Sequence, residues 1–366
     1  LVSELVDHKS KHISYKVFCS LPAYTERLTS YKGNLLSYVN LGANGISSIL
    51  YDIICMSRSL HSNAILILGT SGAIFIPVLR LFYSGKIIVN IDGAEWKRQK
   101  WNKGTQFYLK LSEILAVYFA HTIIADNQAI LEYLRKRYRK HAVLIEYGGD
   151  QAFPVSNPEY VKEYCFADKP YAITICRIEP ENNVDAILSI GGAEGALPIV
   201  IVGNWSANSY GEELYRRYSN KKGIILLDAI YDLLRVNFLR SNACLYIHGH
   251  SAGGTNPSLV EAMSLGLPIL AFDCIYNRKT TEDECLYWSN SLDLLEQIRT
   301  PKDQLKSIGE KMKEIFDTYV DNTFDGIRKQ ADFKFIQFEY NYKKYFPQNM
   351  NSKVLDVGIG RGEMLT

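Results

Sequence analysis

The sequence lacks the features that mark several protein classes. Its seven cysteines are scattered, odd in number and without a Cys-X-X-Cys pair, so neither a disulfide framework nor a zinc site is expected. The net charge is only +2, which argues against nucleic acid as a partner. The longest apolar run, residues 65–79, contains Gly69, Gly72 and Pro77 and predicts strand, loop and helix instead of a membrane span; no signal peptide is evident.

The composition is that of a globular protein with more than one domain. The chain has 366 residues, 47% hydrophobic and 22% charged, and this length exceeds what one hydrophobic core usually holds. No Ser-His-Asp set, no His-Glu-X-X-His motif and no carboxylate pair suited to hydrolysis is present.

Short apolar runs that predict strands alternate with helical periodicity along the chain. In the first half, the predicted strands are residues 15–20, 35–41, 64–68, 86–91, 122–125 and 143–146, with helices at 46–60, 107–120 and 129–138. In the second half, the predicted strands are residues 171–176, 198–202, 224–227, 243–247 and 268–272, with helices at 183–190, 212–218, 231–240, 292–299 and 305–320. This alternation predicts an α/β protein with parallel sheets, in which functional residues follow the carboxyl ends of the strands.

The alternation of predicted strands and helices is interrupted once, in a stretch with several prolines. We therefore predict an N-terminal Rossmann-like domain over residues 1–155, a linker over 156–170 and a C-terminal Rossmann-like domain over 171–325, with a cleft between the domains. The first domain begins with a helical pattern and lacks a first strand, which indicates that the given sequence is truncated.

One stretch, residues 248–266, combines a strand end, a glycine-rich loop and a helix start. Asn256 and Pro257 are preferred at a helix N-cap and first turn, and such an end presents free N–H groups and a positive dipole to an anion. The predicted donors are the amides of Asn256, Ser258 and Leu259, and Glu261 is placed to accept hydrogen bonds from a sugar. Ordinary capping of a βα turn explains the same residues equally well.

Two other predicted strand ends carry candidate ligand-binding residues. Arg177 is placed to clamp a diphosphate, although pairing with a nearby glutamate is the alternative. The run Gly203, Asn204 and Trp205 offers an indole to stack on a base or sugar, unless Trp205 is simply packed. His250, beside the glycine loop, is a candidate for polarising a phosphate.

In the first domain, polar residues follow two predicted strands. The acidic residues best placed to serve an acceptor are Asp92 and Glu95, and the basic residues Lys97 and Arg98 follow them directly. The alternative is a solvated turn in which these charges form local ion pairs. The pair at residues 126–127, Asp126 and Asn127, repeats the pattern more weakly, and capping of the next helix explains it adequately.

Together these stretches resemble a known enzyme family. Residues 176–183 (Cys-Arg-Ile-Glu-Pro-Glu-Asn-Asn), 202–205 (Val-Gly-Asn-Trp) and 248–261 resemble family-four retaining glycosyltransferases of the GT-B fold. Residues 90–101, 125–128 and 249–257 resemble the bacterial rhamnosyltransferases that build capsule and O-antigen chains. The resemblance covers residues 1–320.

The resemblance implies a role for each matching position. Arg177 is expected to hold the donor diphosphate, Glu261 the nucleotide ribose, and Asp92 a polar position near the reacting sugar. The implied donor site also comprises the strand-end and loop residues Gly203, Asn204, Trp205, His250, Gly253, Gly254, Thr255, Asn256, Ser258 and Leu259. The implied acceptor side comprises Asp92, Glu95, Arg98, Asp126 and Asn127.

Three departures from the family pattern bear on the donor site. Gly253 replaces the first glutamate of the family's spaced pair, so contacts to the donor sugar must differ. Asn182 replaces a lysine of the diphosphate clamp. The family's first strand and glycine-rich loop have no counterpart before residue 1, so part of the acceptor side is missing from the given sequence.

The implied activity is transfer of a 6-deoxyhexose, L-rhamnose from dTDP-L-rhamnose, to a surface polysaccharide or lipid-linked sugar, with retention. Such enzymes need no bound metal or other cofactor, because an arginine and a helix dipole offset the leaving charge. The expected location is the cytoplasm, at the inner face of the plasma membrane, with peripheral membrane contact. Alternatives are a hexosyltransferase using a UDP-sugar, a sugar-nucleotide epimerase of the same fold, and a non-catalytic nucleotide-sugar-binding module.

The C-terminal segment carries a separate signal. Residues 353–363 (Lys-Val-Leu-Asp-Val-Gly-Ile-Gly-Arg-Gly-Glu) resemble the first motif of S-adenosylmethionine-dependent methyltransferases. We therefore predict that residues 326–366 are a helix and the truncated start of a methyltransferase-like domain. S-adenosylmethionine is expected to bind only if that domain is complete.

Overall fold

The computed structural model describes Val6 and residues 13–24, 27–91, 93–98, 101–149, 151–324 and 352–357. The chain forms two compact units. One comprises Leu1–Glu146 together with Asp321–Thr366, and the other comprises Tyr147–Val320. No helix in the described part of the chain is long and apolar enough to cross a membrane.

In the first unit, strands and helices alternate as the sequence predicts. In chain order they are β1 (Ile13–Ser20), β2 (Ser30–Tyr31), β3 (Asn34–Val39), α1 (Ser47–Ser57), β4 (Ala64–Leu68), α2 (Ile76–Phe82), β5 (Lys86–Ile91), α3 (Lys103–Phe119), β6 (Thr122–Ala125), α4 (Gln128–Tyr138) and β7 (Val143–Leu144). Short 3-10 helices cover Leu21–Ala23, Ala73–Phe75 and Glu95–Lys97.

The second unit repeats the alternation. Its elements are α5 (Pro158–Glu163), β8 (Ala172–Ile175), α6 (Val184–Ser189), β9 (Ile199–Val202), α7 (Ser209–Tyr218), β10 (Ile224–Leu227), α8 (Leu233–Ser241), β11 (Leu245–His248), α9 (Pro257–Ser264), β12 (Ile269–Phe272), α10 (Ile275–Thr280), β13 (Leu286–Trp288), α11 (Ser291–Gln297) and α12 (Lys302–Phe324). A 3-10 helix covers Pro180–Asn182. The last strand of the chain, β14 (Ser352–Val357), belongs to the first unit.

The sheet of the second unit is parallel throughout, with strand order β10-β9-β8-β11-β12-β13. Read by position along the unit, this is the 3-2-1-4-5-6 order of a Rossmann fold. Strand β9 (Ile-Val-Ile-Val) is buried at every position, as expected of a parallel strand covered on both faces. Helices pack on the sheet through a core that includes Ile187, Leu214 and Trp288.

The sheet of the first unit has the order β2-β3-β1-β14-β4-β5-β6-β7. All neighbours are parallel except β2, which is antiparallel to β3. Strand β14 lies between β1 and β4 and pairs with both, with Val354 opposite Tyr15 on one side and Ala64 on the other. A strand from the C-terminal segment therefore lies inside the first sheet, between β1 and β4.

This placement differs from the prediction for the C-terminal segment. Ser352–Val357 is a strand of the first sheet instead of the beginning of a separate domain, because both of its edges are paired there. The glycine-rich part of the methyltransferase-like motif, residues 358–363, and the predicted helix before the strand lie outside the described residues. The S-adenosylmethionine expectation stays a prediction.

The boundary between the units also falls earlier than the sequence predicts. The first unit ends at Glu146, because residues 147–155 are tied to helices of the second unit. Asn237 donates to the Gln151 carbonyl at 2.8 Å, and Ser264 donates to the Gly149 carbonyl at 2.9 Å. The predicted linker contains helix α5, which Asn157 caps by accepting from the Glu159 amide.

Short polar side chains cap several helix starts, two of which, Asn127 and Asn256, the sequence predicts. In each case the side-chain oxygen of the N-cap residue accepts a hydrogen bond from an amide two or three residues ahead. These N-caps are Asn102, Asn127, Asn157, Asn208, Asp232, Asn256 and Asn290.

A buried carboxyl group lies under the loop that follows β4. Asp52 of α1 is fully buried and accepts a hydrogen bond from the Ser71 hydroxyl at 2.6 Å, and burial raises its pKa from 3.8 to about 7. The folded state therefore holds this proton at pH values where the unfolded state has lost it. The stabilisation from this bound proton is therefore fully present at pH values below the pKa of Asp52 in the unfolded state. It is lost as the pH rises through the pKa of Asp52 in the folded state.

Asp52→Asn is expected to remove this pH dependence. Between about pH 4 and pH 7 the wild-type free energy of unfolding should fall, relative to the variant, by on the order of 4 kcal/mol. Urea unfolding at a series of pH values measures the difference. Parallel pH profiles for the two proteins would mean that Asp52 is ionised in the folded state.

Candidate functional site

The strand order identifies one edge of the second sheet as the place for a ligand. The chain turns in opposite directions after β8 and β11, which are neighbours in the sheet, and ligands of open α/β sheets bind beyond the carboxyl ends of strands at such a switch point. Arg177 follows β8, and the glycine-rich loop 249–256 follows β11. The two loops that the sequence singles out therefore belong to neighbouring strands.

Direct hydrogen bonds join these two loops. The Ser251 amide and hydroxyl both donate to the Glu181 carbonyl, at 2.9 and 2.8 Å. Asn183 donates through its side chain to the Gly249 carbonyl at 2.8 Å. At Gly249 the backbones approach so closely that an added Cβ would lie 2.0 Å from the Asn182 carbonyl oxygen. The loops after β8 and β11 thus form one connected surface.

Asn182 has a structural role that the sequence does not reveal. Its side chain is buried, donates to the Arg177 carbonyl at 2.7 Å and places its oxygen 2.7 Å from His250 Nδ1. Because the amide nitrogen is used by a carbonyl, the oxygen faces the imidazole, and Nδ1 carries the proton. In neutral His250 the other nitrogen, Nε2, is then an acceptor, so the predicted polarisation of a phosphate would require the doubly protonated ring.

Arg177 lies at the surface of the loop after β8. Its side chain is 54% exposed, and the nearest carboxylate, that of Glu179, is 3.7 Å from the guanidinium. This distance is too long for a good hydrogen bond, so the pair is a weak surface ion pair. The guanidinium is therefore free to engage an anionic ligand.

The helix start is capped by its own residue, which corrects two predicted donors. Asn256 Oδ1 accepts from the Ser258 amide at 3.0 Å, and the Asn256 carbonyl accepts from the Leu259 amide at 3.0 Å. These amides are used within the first turn of α9 and are not free for a ligand. Leu259 is also fully buried.

The loop before the helix supplies the remaining donors. Within the part of the chain that the structure describes, no hydrogen bond occupies the backbone amides of Gly253, Gly254 or Asn256. Gly253 has a φ of +93°, a conformation that residues with a Cβ rarely adopt. Thr255 is buried beside them. The available donors therefore belong to the loop just before the helix, and N–H groups in such a loop can bind an anion.

Glu261 is part of a buried polar network that the sequence does not predict. One carboxylate oxygen pairs with Arg240, and the other accepts from Gln151 at 2.7 Å. Arg240 is 4% exposed at its side chain and also donates to Asn237 at 3.1 Å. Asn237 in turn donates to the Gln151 carbonyl. Glu261 is thus held in place by protein partners, and the predicted contact with a sugar hydroxyl would have to use its remaining lone pairs.

The sequence contains only a weak signal for this network. Asn237 and Arg240 are three residues apart on α8, next to the buried residues Phe238 and Leu239. Polar residues at this spacing on a buried helix face indicate that each has a hydrogen-bond or ion-pair partner, but they do not indicate which residue that partner is.

The predicted stacking residue is part of the core. Trp205 is 3% exposed, and its indole nitrogen donates to the Leu227 carbonyl at 2.9 Å, so its ring is not available to a ligand. The Gly203 amide donates to the same carbonyl at 3.1 Å. Asn204 accepts from the Ser206 amide and hydroxyl in a local turn. Close packing after β9 explains Gly203 and Trp205, and a local turn explains Asn204.

His248 ends β11 beneath the loop. Its ring is buried, stacks at 25° on Tyr246 with centroids 5.9 Å apart, and has an Nε2 with no hydrogen-bond partner among the described residues. Burial lowers its pKa to about 3. His248 is therefore a neutral packed residue.

The acceptor-side predictions have mixed outcomes in the first unit. Asp92 lies outside the described residues. Glu95 and Arg98 form an ion pair at 2.7 Å across one turn, as expected of a local pair. Asn127 caps α4 by accepting from the Ala129 amide, and Asp126 is buried. The capping explanation is supported for Asn127.

A cavity of about 940 Å³ opens at the other edge of the second sheet. Its lining includes Pro170, Cys244 and Pro268, which precede β8, β11 and β12. Because these residues are at the amino ends of the strands, the cavity is separate from the candidate site.

Comparison with known proteins identifies the fold. A domain of unknown function, DUF1972, matches residues 1–150. A comparison with curated protein sequences finds no match. Sucrose-phosphate synthase from Thermosynechococcus elongatus matches with a TM-score of 0.69 and 13% identity, covering 83% of this chain and 84% of that one.

Two further solved structures match over most of the chain. HepE from Anabaena in complex with UDP matches with a TM-score of 0.58 and 14% identity, covering 84% of this chain and 94% of that one. A putative UDP-N-acetylglucosamine 2-epimerase from Listeria monocytogenes matches with a TM-score of 0.53 and 12% identity, covering 81% and 84%. The chain has the GT-B fold, with two Rossmann-like domains.

Proposed function

We propose that this protein is a glycosyltransferase that binds a nucleotide sugar at the carboxyl edge of the second sheet. The observation that carries the proposal is the switch-point surface, where the exposed guanidinium of Arg177 and the unoccupied amides of Gly253 and Gly254 follow neighbouring strands joined by hydrogen bonds. The names of similar structures support the ligand class, since HepE was solved with UDP and with UDP-glucose.

The proposed reaction transfers L-rhamnose from dTDP-L-rhamnose to a surface polysaccharide or lipid-linked saccharide, with retention. The bond between the anomeric carbon and the diphosphate oxygen breaks, and the acceptor oxygen bonds to that carbon while its proton passes to the departing phosphate. Arg177 and the loop amides offset the charge that develops on the diphosphate. This role needs electrostatic donors, which the loop supplies, and Glu261 orients the ribose.

A second candidate is transfer of a hexose from a UDP-sugar, favoured by the UDP complexes of HepE. A thermal-shift panel of dTDP, UDP and GDP separates the two, because a ligand that binds only the folded state raises its stability. The largest shift is expected with dTDP; a larger shift with UDP favours the second candidate. Transfer of labelled sugar to an added saccharide then distinguishes a transferase from an epimerase or a binding module.

Arg177→Ala is expected to weaken binding of the preferred nucleoside diphosphate by about 1.5–3 kcal/mol, the loss typical of a charged hydrogen bond. Calorimetric titration measures it. Arg217→Ala is the matched control, since Arg217 is exposed in the same unit and pairs with Asp185 at 3.0 Å. Equal affinity in the Arg177 variant and the wild type would remove Arg177 from the site.

A further inference from the structure

Three cationic side chains of the first unit converge on one aromatic ring. The charged groups of Lys97, Lys110 and Arg137 lie 5.5, 5.2 and 5.2 Å from the centre of the Trp96 ring. They come from three elements: the 3-10 helix after β5, helix α3 and helix α4. Residues distant in sequence are thus gathered at one place, which we call the Trp96 cluster.

The aromatic surroundings hold these cations in position. Lys97 also lies 5.1 Å from the Tyr133 ring centre. Arg137 lies 5.4 Å from the Tyr138 ring centre and donates from Nε to the Tyr138 hydroxyl at 3.1 Å. Cation–π contacts of this kind are each worth about 0.5–1 kcal/mol at exposed sites.

The positive charge of the cluster is not neutralised by ion pairs. Among the residues that the structure describes, no carboxylate forms an ion pair with Lys97, Lys110 or Arg137. The nearby Glu113 is buried, and it accepts hydrogen bonds from the Tyr133 and Tyr138 hydroxyls. The hydrogen bond with Tyr138, and more weakly the charge of Glu113, raise the pKa of Arg137, but within the described part of the chain Glu113 forms no ion pair with the three cations, which remain available to an anion.

Basic residues next to the Trp96 cluster in sequence do not share its arrangement and form ordinary ion pairs instead. Arg98, next to Lys97, pairs with Glu95 at 2.7 Å. On α4, Lys136 lies beside Arg137 but points to Glu132 at 3.8 Å and is 82% exposed at its side chain. A solvated turn with local ion pairs, the simple explanation from sequence, therefore describes Arg98 but not Lys97.

We propose that the Trp96 cluster binds a phosphate or diphosphate group carried by the acceptor. Lysine ammonium groups act as compact donors to phosphate oxygens, and the arginine guanidinium adds a planar set of donors. The acceptor role rests on the proposed function, whereas the binding of the anionic group does not.

Calorimetric titration of the full chain with inorganic pyrophosphate tests the proposal. Lys97→Gln/Lys110→Gln is expected to bind pyrophosphate at least ten-fold more weakly than the wild type. The matched control, Arg135→Gln/Lys136→Gln, also removes two positive charges, but from residues of α4 that lie outside the cluster. It should bind pyrophosphate like the wild type. Equal affinity in all three proteins, or equal loss in both variants, would overturn the proposal.

A second measurement separates this site from the donor site. Pyrophosphate binding should persist when the nucleoside diphosphate is saturating, and the Lys97→Gln/Lys110→Gln variant should keep its nucleoside diphosphate affinity. If the nucleotide does not bind at all, the proposed function fails while the pyrophosphate result still stands. Complete displacement of pyrophosphate by the nucleotide would contradict a separate site. The single Lys97→Gln variant, at an exposed side chain, serves if the double variant does not fold.

The source of the phosphate group is tested with membranes. Vesicles of phosphatidylcholine with and without phosphatidic acid distinguish a lipid headgroup from a soluble ligand. Binding to the acidic vesicles that is lost in Lys97→Gln/Lys110→Gln but kept in Arg135→Gln/Lys136→Gln supports a lipid-borne phosphate. Binding of pyrophosphate alone supports a phosphate on a soluble acceptor.

Discussion

Arg240→Met is expected to lower the free energy of unfolding of the second unit by about 3–5 kcal/mol, as is typical when one partner of a buried ion pair is removed. The variant leaves the Glu261 carboxylate buried, with Gln151 as its remaining side-chain partner. Asn237 also loses the donor to its side-chain oxygen. Urea unfolding followed by circular dichroism measures the loss.

Two further variants distinguish this explanation from a general effect of changing α8. Arg235→Met alters the same helix at an exposed pair, with Glu163 at 3.4 Å, and is expected to cost less than about 1 kcal/mol. Arg240→Met/Glu261→Leu removes both charges and should recover much of the stability. The double variant is still expected to bind nucleotide poorly, since it lacks Glu261. A loss for Arg240→Met no larger than that for Arg235→Met would contradict the buried network.

Gly249→Ala is expected to destabilise the protein by about 3 kcal/mol, at the upper end of the cost of overpacking. The new methyl group would lie 2.0 Å from the Asn182 carbonyl oxygen, and a backbone atom in a short helix cannot rotate away as a side chain can. The loops after β8 and β11 must separate. Nucleoside diphosphate binding should therefore fall together with the melting temperature.

The control for this substitution is Gly104→Ala. Gly104 is in the first turn of α3, where an added Cβ has no neighbour closer than 3.4 Å, and alanine favours a helix. This variant should match or exceed the wild-type stability. If Gly249→Ala keeps both wild-type stability and wild-type nucleotide affinity, the close contact between the two loops does not exist in solution.

Much of the fold is predictable from local pattern. The buried strands β4 and β9 are short runs of aliphatic residues, and these residues leave little alternative to a parallel strand covered on both faces. The start of α9 is equally local, since Asn256 and Pro257 have the preferences of a cap and a first turn.

The sequence predicts which loops form the candidate site, but it does not predict which atoms in those loops are available to a ligand. The loops after β8 and β11 were identified because functional residues follow strand ends. The individual donors are predicted only in part: the Asn256 amide is available as predicted, whereas the Ser258 and Leu259 amides are used within the first turn of α9. Trp205 could equally have been a stacking or a packed residue, and only its burial decides between them.

The sequence by itself determined the order of strands and helices along the chain, the caps at Asn127 and Asn256, and the two candidate loops, because these depend on residues within a few positions of one another. The tertiary structure alone decided that Arg240 pairs with Glu261 and that Asn182 forms hydrogen bonds with both Arg177 and His250. It also decided that Lys110 and Arg137, which are distant in sequence, join Lys97 at the Trp96 ring. Such partners are set by which elements become neighbours in the sheet and on its faces, and periodicity along the chain carries no record of that choice.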